Sequence, residues 1–302
     1  MITIRLRTRI SKTEIDSKVG KILTDDDYNV LLSGPAKVLK PNGDPLCVYL
    51  PGKMTKHFDD ENIYGILHGL RNMTTRNRGL ASGTKRVATK TGQHSYSREI
   101  ASSTIGAMDA TGRYKYCRLT AWTGQNVPHW QELHPLLKDV ASALKEYVPD
   151  RYEAQADEAD RSKPEWVVPG TPFTTVTVNN SYPTGVHTDK GDLEKGFSTI
   201  ACVRKGSYTG GRLCFPEWRV ALDLKHGDLI CMDAHDWHGN TMLVCQCGEN
   251  MNGPCRECGD ERISIVSYFR ENITECGTAD EEYDKATQLA ESRTNKTLNK
   301  QG

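Results

Sequence analysis

His187 and Asp189 stand two positions apart, and in an extended strand that spacing sends both side chains to one face. An imidazole and a carboxylate on one face can share a metal ion. The pair alone is a common accident, so its weight comes from the downstream sequence. The run from Leu222 to Ile230 reads as strand, turn and strand, and it leads into Asp233-Ala234-His235-Asp236-Trp237-His238-Gly239. A second imidazole from that distant strand would complete a two-histidine, one-carboxylate face. Such a face holds iron and leaves three of its positions open for a co-substrate and O2. Either His235 or His238 can fill the third place. We assign His238, because Gly239 after it lets the chain turn tightly and Trp237 before it then faces into packing. His235 is expected beside the site or on the surface. An iron site that uses 2-oxoglutarate also needs a cation for the distal carboxylate, and arginine offers a two-pronged match. Arg262, Ser264, Val266, Tyr268 and Arg270 share one face of a strand, so Arg262 and Ser264 are the candidates for gripping the co-substrate.

These residues need a scaffold, and 302 residues with 37% hydrophobic and 26% charged suit one compact catalytic unit. The expected fold is mainly β with flanking helices (α+β), built on a double-stranded β-helix, or jelly roll of cupin type. The spacing predicts a small N-terminal β cap over 1–60. A basic loop with supporting helices is expected over 61–170, including a helix from Trp130 to Tyr147 that Pro149 ends. Short strands rich in Thr, Val, Ile and Phe predict the jelly-roll core over 171–275, and 276–302 reads as a polar tail. No apolar run is long enough for a membrane span or a signal core. An intracellular protein is therefore expected, in the cytoplasm of a bacterial or phage-infected cell or in a eukaryotic nucleus, with a single chain as its unit.

The ten cysteines then read as buried thiols or metal ligands rather than disulfides. Cys245, Cys247, Cys255 and Cys258 crowd into two close pairs around a Gly-Pro turn, which suits a tetrahedral structural zinc. Net charge is zero, which argues against coating nucleic acid by overall charge. Locally, however, Tyr64 to Arg98 holds seven basic residues, Arg71, Arg76, Arg78, Lys85, Arg86, Lys90 and Arg98, and no Asp or Glu. Such a loop is either a solvated surface segment or a set of phosphate contacts.

Taken in order, several segments resemble the Tet/JBP dioxygenases, which hydroxylate the methyl group of 5-methylpyrimidines in DNA. The segments are Phe173–Asn179, His187–Asp192, Tyr208–Glu217, His226–Asp228 with Trp237–Thr241, and Arg262–Arg270. The resemblance implies Fe(II), 2-oxoglutarate and O2, a flipped base, and DNA containing a 5-methylpyrimidine as partner. It implies that Arg262 holds 2-oxoglutarate, with Thr177 and Asn179 near it, and that Tyr268 packs against the base. Asp192 matches an acidic substrate-contact position. Arg270 departs from the family, which often has a histidine there, and the segment from His238 to Arg262 is longer than the family's because it contains the four cysteines. An ionised Asp192 accepts hydrogen bonds only, so it suits the amino group of 5-methylcytosine over the carbonyl of thymine. Thymine hydroxylation, a prolyl-hydroxylase-like oxygenase with the same barrel, and a non-enzymatic DNA-binding module are the other readings.

Overall fold

The fold is taken from a computed structural model that describes residues 1–302 apart from 8, 76–77, 84–85, 89–93, 97–98, 113 and 299–302, with the backbone alone described for 86–88, 94–96 and 293–298. Twelve strands build the part that positions the site. They are β1 (Ile2–Arg5), β2 (Val30–Leu32), β3 (Ala36–Leu39), β4 (Pro45–Leu50), β5 (Ile100–Met108), β6 (Thr175–Asn180), β7 (Ser198–Lys205), β8 (Leu213–Phe215), β9 (Val220–Leu222), β10 (Leu229–Met232), β11 (Gly239–Asn240) and β12 (Glu261–Tyr268). The larger sheet runs β1-β3-β4-β10-β7-β12-β6-β5, and the smaller runs β11-β8-β9-β2. Pairing is antiparallel except for β1 with β3 and β9 with β2. The two sheets face each other as a jelly-roll core.

Strand alternation explains how one sheet carries both a core and a site. On β12, Ile263 and Ile265 point to one face, where they pack with Val176 and Val178 of β6 and Ala201 and Val203 of β7. Two helices add to that core, α1 (Glu61–Gly69) with Ile63 and Leu67, and α2 (His134–Tyr147) with Leu136, Leu137, Val140 and Leu144. The opposite face looks toward the smaller sheet, and there Ile200, Ile230 and Met232 pack with Leu213, Phe215 and Leu222. Arg262, Ser264, Val266 and Tyr268 share that inward face and line a cavity between the sheets.

Several expectations need correction. The N-terminal strands are not a separate cap over 1–60, because β3 and β4 extend the larger sheet against β10 and β2 completes the smaller one against β9. The boundary at 171 likewise falls inside the sheet, since β5 from the middle stretch pairs with β6. The helix expected over Trp130–Tyr147 is two, Val127–Glu132 and α2; Pro135 stands near the start of α2, where its missing N–H costs nothing. Pro149 does end α2, and it also opens α3 (Pro149–Arg161). Nor are all cysteines thiols: Cys117 and Cys276 form a disulfide with Cα atoms 5.9 Å apart. Both lie in a buried cluster with Trp166, Leu193 and Phe269, which brings together two positions distant in the chain. Helix α4 (Ala279–Leu298) comes after this cross-link. Among the described residues no helix is long and apolar enough to cross a membrane.

Candidate active site

His187 and His238 face each other across an antiparallel bridge, each backbone N–H donating to the other's carbonyl at 2.9 and 3.0 Å. Gly239 makes this approach possible. A Cβ there would lie 3.1 Å from Val186 N and 3.2 Å from the carbonyl carbon of Gly185. Its backbone is not in the left-handed region, so close packing, rather than the tight turn expected from sequence, is the reason for glycine. The two rings lie 4.4 Å apart. Asp189 reaches between them, with Oδ1 3.5 Å from His187 Nε2 and Oδ2 3.5 Å from His238 Nε2.

The outer nitrogens fix the tautomers. His187 Nδ1 lies 2.8 Å from Gly185 O, and His238 Nδ1 lies 2.9 Å from Asp236 O. A carbonyl only accepts, so each Nδ1 carries the proton and each Nε2 presents a lone pair toward Asp189. Burial, and then repulsion from His238, push His187 down to about 4, so it is neutral at physiological pH. For Asp189 burial favours the neutral acid, but its interactions with the His187 and His238 rings outweigh it and hold the group below the usual carboxylate range; in return Asp189 raises His238 against the effect of burial. This donor set, two imidazoles and an ionised carboxylate whose ligand atoms lie within 4.8 Å of one another, fits a divalent metal such as Fe(II). His235 turns elsewhere, Nδ1 toward Asp233 at 3.3 Å and Nε2 toward the backbone carbonyl of Asp192 at 3.2 Å.

The cavity beside this cluster has a volume of about 520 Å3. Arg262 enters it from β12, buried, with its guanidinium 3.4 Å from Ser264 Oγ. Among the described residues no carboxylate lies within ion-pair distance of Arg262. A buried cation without a counter-charge is costly, so the geometry fits a carboxylate supplied by a ligand. Thr177 Oγ1 lies 3.1 Å from Tyr268 Oη, and Asn179 Oδ1 accepts from Ser102 and Tyr182 hydroxyls; all three expected pocket residues line the cavity. Asp192 Oδ2 accepts from Ser198 Oγ at 2.6 Å. Burial, and then the charge of Asp189, push Asp192 up to about 8, which works against the ionised state assumed from sequence. Arg270 closes the same end, its Nε donating to buried Asp109 at 2.6 Å.

Arg78 stands apart in the basic loop, which was expected to be either solvated or in contact with phosphates. It lines the cavity, with its charge facing Tyr182, Tyr268 and Asp189 and, among the described residues, no partner for its buried Nε. No local pattern separates it from the other basic residues. Only the tertiary path reveals it, where Gly185 N donates to Ala81 O and so holds the segment after Arg78 against the segment before His187. Arg71 is turned back, donating to His68 O at the end of α1. Arg76, Lys85, Lys90, Arg98 and the side chain of Arg86 lie outside the described residues.

Outside the cavity, the sulfurs of Cys245, Cys247, Cys255 and Cys258 also lie within 4.8 Å of one another. Cys245 is buried with Tyr208, Leu243 and Met251.

Comparison with known proteins agrees with this arrangement. Residues 108–271 match the Tet_JBP model, described as the oxygenase domain of the 2OGFeDO superfamily. The chain is 30% identical over 159 residues to thymine dioxygenase JBP1 of Leishmania braziliensis, and the match covers 52% of this chain and 18% of that protein. It is 33% identical over 159 residues to thymine dioxygenase JBP1 of Crithidia fasciculata, with the same 52% and 18% coverage. The chain thus spans about a fifth of the length of these curated relatives. A solved structure described as NgTET1 in complex with 5mC DNA superposes with a TM-score of 0.55 at 12% identity, covering 84% of this chain and 81% of that one, a likeness of fold. With its family model spanning more than half of the sequence, the chain belongs to the Tet/JBP oxygenases of the 2-oxoglutarate and iron dioxygenase superfamily.

Proposed function

We propose that this domain oxidises the 5-methyl group of a pyrimidine in DNA, 5-methylcytosine or thymine. One observation carries the reading: a cavity of about 520 Å3 on which the His187, Asp189 and His238 face and the uncompensated guanidinium of Arg262 both open. Superfamily membership implies Fe(II), 2-oxoglutarate and O2. When bound, they supply the oxidation that converts a methyl carbon to hydroxymethyl while 2-oxoglutarate becomes succinate and CO2.

The chain's own residues then divide the work. His187, Asp189 and His238 would hold the metal through the two Nε2 atoms and a carboxylate oxygen. Arg262 with Ser264 takes the distal carboxylate of 2-oxoglutarate, Thr177 and Asn179 border it, and Arg78 supplies a second cation nearer Asp189. Tyr268 offers its ring to the base, while Asp192 and Arg270 meet its polar edge. A base stacked in a duplex cannot enter a pocket between two sheets, so it must be extruded. Arg76, Lys85, Arg86, Lys90 and Arg98 are assigned to the phosphates.

Asp192 decides the base. Ionised, it accepts from the amino group of 5-methylcytosine; neutral, it can donate to O4 of thymine. Thymine is favoured by the names of the curated relatives and by the burial of Asp192, whereas 5-methylcytosine needs Asp192 to ionise when the base is bound. The test is the stoichiometry of succinate: it should form in step with oxidised base when duplexes containing 5-methylcytosine or thymine are supplied. Succinate formed equally without DNA, or with a peptide alone, would remove the proposal.

Zinc at Cys245, Cys247, Cys255 and Cys258 is also proposed, since four thiolates at this separation suit tetrahedral Zn(II). Elemental analysis should find about one zinc per chain, lost when the four are changed to Ser. Iron without zinc in a chelator-free preparation would remove this assignment.

A further inference from the structure

The cysteine segment 245–258 runs almost directly into the strand that carries Arg262. The geometry points to it as the buttress that fixes Arg262, so that metal at the cysteines is coupled to affinity for 2-oxoglutarate. This rests on the zinc assignment above and adds a task to it.

Two routes connect the cysteines to Arg262. Asp260, two residues before it, is fully buried. Its Oδ2 accepts from Gln246 N at 2.7 Å, its Oδ1 accepts from Ser207 N at 2.7 Å, and its carbonyl accepts from Cys255 N at 2.9 Å. The chain presses on this carboxylate so closely that a Cβ on Gly206 would fall 1.8 Å from Oδ1. Asp260 thus clamps both cysteine pairs to the end of β7. The second route passes through Ser181, where Gly253 N, from the turn between the cysteine pairs, donates to Ser181 O at 2.8 Å. Ser181 in turn accepts at Oγ from Arg262 N at 2.9 Å and donates its own N–H to Arg262 O at 2.7 Å. Its φ of 52° is unusual for serine, and such a conformation persists only where neighbours hold it.

The clamp depends on an ordered segment, which is held by a few local backbone hydrogen bonds such as Cys245 N to Glu249 O and Met251 N to Leu243 O and by a small apolar cluster. Its apolar contacts are limited to Cys245 and Met251 against Tyr208 and Leu243, with Cys255 and Cys258 at the edge. Fourteen residues cost far more in conformational entropy than this small cluster returns, so metal ligation at the four sulfurs would add substantially to the order of the segment. Without metal, Asp260 and Ser181 lose the backbone donors of Gln246, Cys255 and Gly253. Arg262 then keeps its strand pairing but loses the anchoring of its N-terminal side.

The experiment compares wild type, the Cys255→Ser/Cys258→Ser double variant, and Asp260→Asn, whose amide cannot accept at both side-chain atoms. Zinc is measured by elemental analysis. The Kd for 2-oxoglutarate is measured by anaerobic spectroscopic titration of the Fe(II)-loaded proteins, and affinity for a methylated duplex is measured alongside. We expect the double variant to lack zinc and to bind 2-oxoglutarate at least about tenfold more weakly, with DNA affinity held within about twofold. Asp260→Asn, a positioning variant, should retain zinc, raise KM for 2-oxoglutarate several-fold and keep kcat at saturating co-substrate. Wild-type 2-oxoglutarate affinity in the zinc-free double variant would overturn the coupling while leaving the zinc assignment standing. Wild-type protein that contains no zinc would overturn both. Equal weakening of DNA and 2-oxoglutarate binding, with Asp260→Asn unaffected, would also overturn it, because zinc would then be supporting the fold at large.

Discussion

Each metal-facing imidazole is oriented by a single backbone carbonyl, Gly185 O for His187 and Asp236 O for His238, so the chain itself aims both rings at Asp189. Replacing His187, Asp189 or His238 by Ala should abolish iron binding and turnover with the fold retained, whereas His235→Ala should keep iron. Metal analysis of the four purified variants checks this, and iron lost from His235→Ala but kept in His238→Ala would reverse the assignment. Arg262→Ala should raise KM for 2-oxoglutarate by roughly thirtyfold or more, since a charge-assisted pair is worth about 2–3 kcal/mol. An unchanged KM would move the role to Arg78, the cavity cation that faces Asp189. At this scale the sequence was informative wherever spacing within one strand sets direction: His187 with Asp189, and Arg262 with Ser264 and Tyr268. It was silent on Arg78, whose place depends on pairing between distant segments, and misleading on Asp192, whose burial has no local signature.

The strands deliver the site by alternation, and the pairing between them can be tested without touching a ligand. Gly239→Ala pushes a methyl into the backbone at Gly185 and Val186, so it should separate the His187 and His238 strands. A loss of roughly tenfold in metal affinity is expected, the scale seen when support of a ligand is disturbed. Gly65→Ala is the matching control. Gly65 lies on the exposed side of α1 with nothing within 4 Å of an added Cβ, so Ala should raise stability by about 0.5–1 kcal/mol. Thermal unfolding and metal titration separate the two, and equal behaviour would count against the close-approach account. The helix α2 and the core strands were legible because their periods are strong. The places of β2, β3 and β4 were not, since an isolated apolar strand carries no record of which sheet edge it will join; that is set by long-range pairing, as of β4 with β10.

At the scale of the whole molecule, the proposed action on DNA by a chain of zero net charge requires binding through local asymmetry. Affinity for duplex DNA should fall with salt, and changing Arg86, Lys90 and Arg98 to Ala should flatten the log–log slope by about 0.9 for each phosphate that is no longer neutralised. A slope that does not change would return those residues to the status of a solvated loop. The family match covers residues 108–271, while the cavity also draws on Arg78, so the catalytic unit extends beyond the shared domain. The central claim is that this cavity oxidises a methylpyrimidine in DNA. Its most direct test is mass spectrometry of nucleosides released from 5-methylcytosine-containing duplex DNA after incubation with the protein, Fe(II), 2-oxoglutarate and ascorbate. An oxidised methylpyrimidine, 5-hydroxymethylcytosine or hydroxymethyluracil, is expected, dependent on 2-oxoglutarate and absent with Asp189→Ala. Iron-loaded, folded protein that consumes 2-oxoglutarate yet leaves both bases unmodified would contradict it.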